Sequence, residues 1–195
     1  MRPVRHLLPL LALPLLSACA SSSAPVQYYT LAPVSQGQSS ISAPYRLAIA
    51  SVGVPAQLDQ PQLVIHSSNS QLQILDNKRW LSPLPEELQN SVALLLEDRL
   101  HASRSDGFQT SNLPKLRVKV QVRRFESWPG KRFTFSADWQ LGFKGKTLLC
   151  HSQLQHPVPP GIDALVNAQQ QTLAAFADSL ASTAKGLVAG KGVCP

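Results

Sequence analysis

The chain has 195 residues, 44% hydrophobic and 15% charged, with 18 Lys and Arg against 11 Asp and Glu for a net charge of +7. At roughly 150 residues per domain this is one domain with tails, too short for a multidomain enzyme and too apolar for a disordered chain. The basic surplus favours anionic partners.

Met1 to His6 is a short basic start without an acid, Leu7 to Leu16 is apolar, and Ser17-Ala18-Cys19 follows. A charged start, a short apolar core and small residues at its end describe a secretory signal. Ten apolar residues rise only about 15 Å as a helix, half of a bilayer core, and no later apolar run reaches the roughly 18 residues of a span. Leu16-Ser17-Ala18-Cys19 resembles a bacterial lipobox, in which small residues admit the signal peptidase and the thiol carries diacylglycerol. An ordinary cleavage site with a chance cysteine would not need these four residues in that order. Residues 1–18 are therefore expected to be removed, and Cys19 is the expected lipid attachment site and first mature residue. One acyl chain binds membranes marginally, whereas two or three anchor stably. Ala20 lacks the acid that marks inner-membrane retention, so the expected destination is the outer membrane, facing the periplasm.

With Cys19 lipidated, Cys150 and Cys194 remain. The periplasm is oxidising and permits a disulfide between them; two free buried thiols are the alternative. His151 and His156 lie near Cys150, but their spacing matches no zinc pattern, and no metal or cofactor is expected beyond the covalent lipid.

Residues 19–44 read as a lipidated N-terminus and flexible tether, uncharged and rich in Ser, Ala, Gln and Pro, with a short edge strand at Tyr28 to Leu31. Docking of that strand would shorten the leash. Residues 45–195 form the periplasmic domain. Tyr45 to Val54 alternates with period two, and Pro61 to His66 is a second β-branched run. Ser67-Ser68-Asn69-Ser70 is turn chemistry, and Gln71 to Ile74 completes a hairpin. Pro83, Pro85, Glu86 and Glu87 mark a helix start, and Leu88, Val92, Leu95, Leu96 and Leu100 share one face of a helix running to about His101. Asp106-Gly107 reads as a turn and Phe108 to Thr110 as a brief strand.

Lys115 to Arg123 alternates charged and β-branched residues, Trp128-Pro129-Gly130 turns the chain, and Phe133 to Lys144 alternates again. Lys144-Gly145-Lys146 leads into Leu148 to Leu154, completing a three-strand meander. After Pro157 to Gly161, Leu165, Leu173, Phe176, Leu180 and Leu187 lie on a helical stripe. The other side of that helix (Asn167, Gln169, Gln170, Ser179, Ser182) is polar but uncharged, which suits either a second chain or a neutral surface. The expected fold is α+β: a mostly antiparallel or mixed sheet of about six strands with two long helices on one face.

No G-x-S-x-G, H-E-x-x-H, P-loop or G-x-G-x-x-G motif occurs. Glu86 and Glu87 are accounted for by the helix start, so an enzyme is not expected. From Lys115 to Lys146, nine basic residues oppose only Glu126 and Asp138, a net +7 against +5 for the whole mature chain. Alternation places Lys115, Arg117, Lys119 and Arg123 on one face. That face is either merely solvated or a binding surface for lipid phosphates or an acidic partner. Nucleic acid is excluded by compartment.

Tyr28-Tyr29-Thr30-Leu31, Val52 to Leu58, Pro61-Gln62-Leu63-Val64, Trp80 to Leu84 and Leu88-Gln89-Asn90 occur in that order. As an ordered set they resemble the PqiC (YmbA-type) lipoproteins, auxiliary components of ABC-type transport systems built around MCE proteins. The resemblance implies an outer-membrane lipoprotein that works with an MCE-domain tunnel protein in intermembrane phospholipid transport and envelope integrity. It also implies a homo-oligomer, ring-like in this family. The disulfide is not part of the resemblance. The alternative function is a lipoprotein assembly factor binding lipopolysaccharide or an outer-membrane barrel; a secreted hydrolase would require a clustered catalytic or metal site.

Overall fold

The computed structural model describes residues 24–33, 40–105 and 112–195. The elements run β1 (Gln27–Tyr29), β2 (Arg46–Ile49), β3 (Gln62–Ser68), β4 (Gln71–Trp80), α1 (Leu84–Leu100), β5 (Lys115–Trp128), β6 (Arg132–Phe143), β7 (Lys146–Pro157) and α2 (Ile162–Val188). The expected turn at Asp106-Gly107 and the strand at Phe108 to Thr110 lie outside the described residues.

The fold is α+β, with seven strands among the described residues, in two sheets ordered β2-β5-β6-β7 and β1-β4-β3. This differs from one sheet of about six strands because the β3–β4 hairpin takes β1 as its third strand. It meets the larger sheet through side chains: Trp80 lies edge-on to Phe125, with centroids 6.4 Å apart, and His66 stacks on Trp128 at 4.1 Å. Strand β4 extends six residues beyond Ile74, through the polar run Asp76-Asn77-Lys78-Arg79. Backbone pairing holds this run in place of an apolar face, since β1 pairs in parallel with Lys78, Arg79 and Trp80.

The meander is continuous from β5 to β7. Leu116, Val118, Val120 and Val122 are buried, then the alternation breaks at a bulge between Val122 and Arg124 and resumes with Phe125 and Ser127. One extra residue in a strand reverses which face each later side chain occupies. Lys144 (φ 45°) and Gly145 (φ 81°) form the two-residue turn between the paired residues Phe143 and Lys146. Positive φ at both central positions suits the right-handed twist of a hairpin.

Both helices lie over the inner face of the larger sheet, α2 across β6 and β7 and α1 beside it over β2. Phe176 of α2 meets Phe135 at 5.0 Å and Trp139 at 6.4 Å between ring centroids. Each such aromatic pair contributes about 0.5–1.5 kcal/mol beyond its area burial. The buried Trp139 indole donates to Ser152 Oγ at 2.9 Å.

The end of α2 carries a Schellman turn. Lys191 N donates to Gly186 O and Gly190 N to Leu187 O, with Gly190 at φ 81°. The chain then folds back over the helix so closely that a Cβ on Gly192 would lie 2.8 Å from Leu187 Cα. This return carries Cys194 to β7, where a disulfide joins it to Cys150 with Cα atoms 5.5 Å apart.

Candidate functional site

The outer face of the larger sheet, away from the helices, holds the basic residues. One cross-strand row reads Ala48 on β2, Arg117 on β5, Gly142 on β6 and Thr147 on β7. Arg117 is therefore flanked by two of the smallest side chains. The result is a depression of about 460 Å³ in which Ala48, Ala50 and Gly142 stand beside Arg117 and Lys119. Lys146 lines its end, but as the partner of Phe143 it belongs to the helix side of the sheet, with its ammonium beside Gly190. Ser105, Gln140 and Thr147 add hydroxyl and amide groups to its lining. No ion pair among the described residues involves Arg117, Lys119 or Lys146.

Around the bulge of β5 the face is neutralised internally. Arg123 Nε donates to Asp138 Oδ2 at 2.7 Å, and His151 Nδ1 lies 2.8 Å from Asp138 Oδ1. These two hydrogen bonds, that from His151 first, hold the Asp138 carboxyl below its ordinary range. Arg124 makes a two-pronged bond to Glu126 at 2.8 and 3.1 Å.

Of the four residues expected to form an anion-binding face, Lys115, Arg117 and Lys119 are exposed on β5, and Arg117 and Lys119 line the depression. Arg123 lies beside the bulge, outside the depression, and is paired with Asp138. Lys146, Ser105, Gln140 and Thr147 come from other elements and were not legible from alternation within one strand. Gly142 carried a usable signal, as a glycine inside an otherwise unbroken β pattern. Cys19 lies outside the described residues.

A second polar centre joins the N-terminal segment to the helices. Glu87 is 4% exposed, and its carboxylate accepts from Thr30 Oγ1 at 2.7 Å, Leu31 N at 2.8 Å and Ser82 N at 3.0 Å. A buried carboxylate is tolerable only when its lone pairs are satisfied in this way. Gln170 donates to Thr30 O at 3.0 Å, and Tyr29 OH donates to Asp163 at 3.0 Å. The strand expected at Tyr28 to Leu31 is present as β1 over Gln27–Tyr29, beginning one residue and ending two residues earlier, and the chain is docked as far as the fully buried Leu31. The uncharged side of α2 is partly consumed by the fold: Gln170 serves Thr30, and Gln169 is 1% exposed and donates to Ser127 Oγ.

The family model described as the ABC-type transport auxiliary lipoprotein component matches residues 29–181. The chain belongs to this family. The match begins at the last residue of β1 and ends within α2, so it takes in β2 to β7 whole, and it agrees with the resemblance to the PqiC (YmbA-type) lipoproteins. Among solved structures, an uncharacterized protein is 24% identical, with a TM-score of 0.66 over 82% of this chain and 98% of its own. A Xanthomonas campestris protein of family DUF330 is 19% identical, with a TM-score of 0.59 over 85% of this chain and 94% of its own. At these identities the two neighbours show the shared fold. No curated protein sequence matches the chain.

Proposed function

We propose that the protein is a non-enzymatic, lipid-anchored periplasmic subunit of an MCE/ABC-type intermembrane phospholipid-transport system. The observation that carries this reading is the family match over residues 29–181, lying directly downstream of the lipobox Leu16-Ser17-Ala18-Cys19. Cleavage before Cys19 and acylation of its thiol and amine supply the anchor, and Ala20 directs it to the outer membrane. No helix among the described residues is long and apolar enough to cross a membrane, which suits attachment by lipid.

Docking of β1 limits how far the body stands from that lipid. From Cys19 to Gln27 the chain has eight residue steps, and at about 3.3–3.6 Å per step these reach at most about 29 Å. The folded body therefore works close to the bilayer, and the components of the system must come to it. As the resemblance implies, the partner is an MCE-domain tunnel protein and the subunit acts as a homo-oligomer.

The test is affinity capture of the intact lipoprotein from detergent-solubilised envelopes of its own host. An MCE-domain protein as the principal co-purifying species supports the reading. A β-barrel or lipopolysaccharide in its place would support the assembly-factor alternative.

A further inference from the structure

Gly142 stands inside β6 with paired neighbours on both sides: Arg117 on β5 and Thr147 on β7. Glycine in a strand interior costs roughly 0.5–1 kcal/mol relative to alanine, so its presence calls for a local reason. Backbone conformation supplies none, because Gly142 is not among the residues with positive φ. Crowding supplies none either. A Cβ built there would lie 3.8 Å from Arg117 Cβ and 3.9 Å from Lys146 O, ordinary van der Waals contact. What a side chain at this position would change is the depression itself, since Gly142 lines it together with Arg117 and Lys146.

We propose that this depression is a binding site for the phosphate of a phospholipid headgroup. Arg117 and Lys119 supply the charge, the hydroxyls of Ser105 and Thr147 supply hydrogen bonds, and the missing side chain at Gly142 admits the ligand to the strand surface. Arg117 and Lys119, two exposed cations on one concave surface without acidic partners among the described residues, repel each other modestly, and an anion between them would turn that repulsion into attraction. Farther along the same face the cations are paired, Arg123 with Asp138 and Arg124 with Glu126, whereas Arg117 and Lys119 are not. Guanidinium pairs with phosphate oxygens in a two-pronged geometry, with lysines adding point charge. The volume of about 460 Å³ falls within the roughly 300–1,000 Å³ typical of small-molecule sites. It has room for a glycerophosphate and the start of the acyl region. The choice of a lipid over a free phosphate rests on the transport reading above; the site itself rests on the geometry.

The test uses the full mature chain carrying Cys19→Ser, so that no attached acyl chain inserts into the vesicles. Binding is measured by co-flotation with vesicles of phosphatidylcholine alone and with one third phosphatidylglycerol. The site predicts binding to the anionic vesicles and a loss of at least tenfold in the double variant Arg117→Glu/Lys119→Glu. Gly142→Val and Ala48→Val each fill the depression without changing charge and should weaken binding at least fivefold, with circular dichroism showing that they fold. Lys131→Glu/Lys185→Glu, an equal charge change away from the depression, should stay within threefold of the parent.

Retention of affinity by both filling variants while charge reversal abolishes it would overturn the site in favour of diffuse attraction. Absence of binding to the anionic vesicles would overturn it outright. Saturation by glycerol phosphate or inorganic phosphate at the vesicle-bound affinity would overturn the assignment to lipid. Because no transport partner is present, failure here leaves the envelope capture experiment untouched, and the converse also holds.

Discussion

The amide of Leu31 donates to the carboxylate of Glu87 across 2.8 Å, joining the N-terminal segment to the first turn of α1. Glu87 reads from sequence as a residue placed for the helix dipole. In the structure it is an acceptor for three donors, two of them backbone amides, and it fixes where the leash from the membrane meets the body.

Glu87→Ala should therefore cost more than a surface helix substitution. It leaves the Leu31 and Ser82 amides without partners, for a loss of about 2–4 kcal/mol. Urea denaturation measures the loss, and amide hydrogen exchange should show Leu31 losing protection before the core of β6 does.

Tyr29 couples the same segment to pH. Burial, with the hydrogen bond from its hydroxyl to Asp163, raises the Tyr29 pKa above its ordinary value of 10.0. The folded state thus holds this proton more tightly than the unfolded chain. The stabilisation is fully present below pH 10 and is lost as pH rises through the folded-state value. Burial raises Tyr45 as well, so spectrophotometric titration should show two tyrosines ionising late in the parent, and Tyr29→Phe should remove one of the two. Alkaline loosening of residues 27–31 in the parent, followed by proteolysis, should begin only above pH 10.

Asp138 makes the acid limb. Its folded-state pKa is lowered by His151 and Arg123, so its contribution is present above the ordinary value of 3.8 and is lost as pH falls through the lower, folded-state value. Asp138→Asn should flatten the fall in melting temperature across this window and leave Arg123 free. A fall of unchanged steepness would assign the acid limb to other carboxylates.

The Cys150–Cys194 disulfide closes a separation of 44 residues and holds the folded-back tail of α2 against β7. Cys194→Ser should lower stability by about 2–4 kcal/mol. Thiol labelling of the mature protein under denaturing, non-reducing conditions should find neither cysteine reactive.

Period-two alternation was enough to place β5, β6 and β7, and the apolar stripes to place α1 and α2, because each of these elements buries one continuous face. Three features escaped for different physical reasons. Asp76 to Arg79 belong to β4 through backbone pairing with β1, and no side-chain pattern records such a pairing. The bulge beside Arg123 reverses strand parity without any glycine or proline to mark it. Gln169 sits in the core because Ser127 accepts its amide, a long-range match invisible on the helix alone. The basic face was legible as charge, but its concavity arises from Ala48 and Gly142 on strands adjacent to Arg117, a cross-strand relationship that register alone establishes.

The claim on which the rest depends is acylation at Cys19, and it is tested most directly by intact-mass analysis of the protein purified from envelopes of cells grown with labelled palmitate. The account predicts a mature chain beginning at Cys19, carrying diacylglycerol and an amide-linked acyl chain, recovered with the outer membrane, with label lost in Cys19→Ser. A mature chain with an unmodified Cys19 thiol, or one cleaved elsewhere and free in the periplasm, would contradict it.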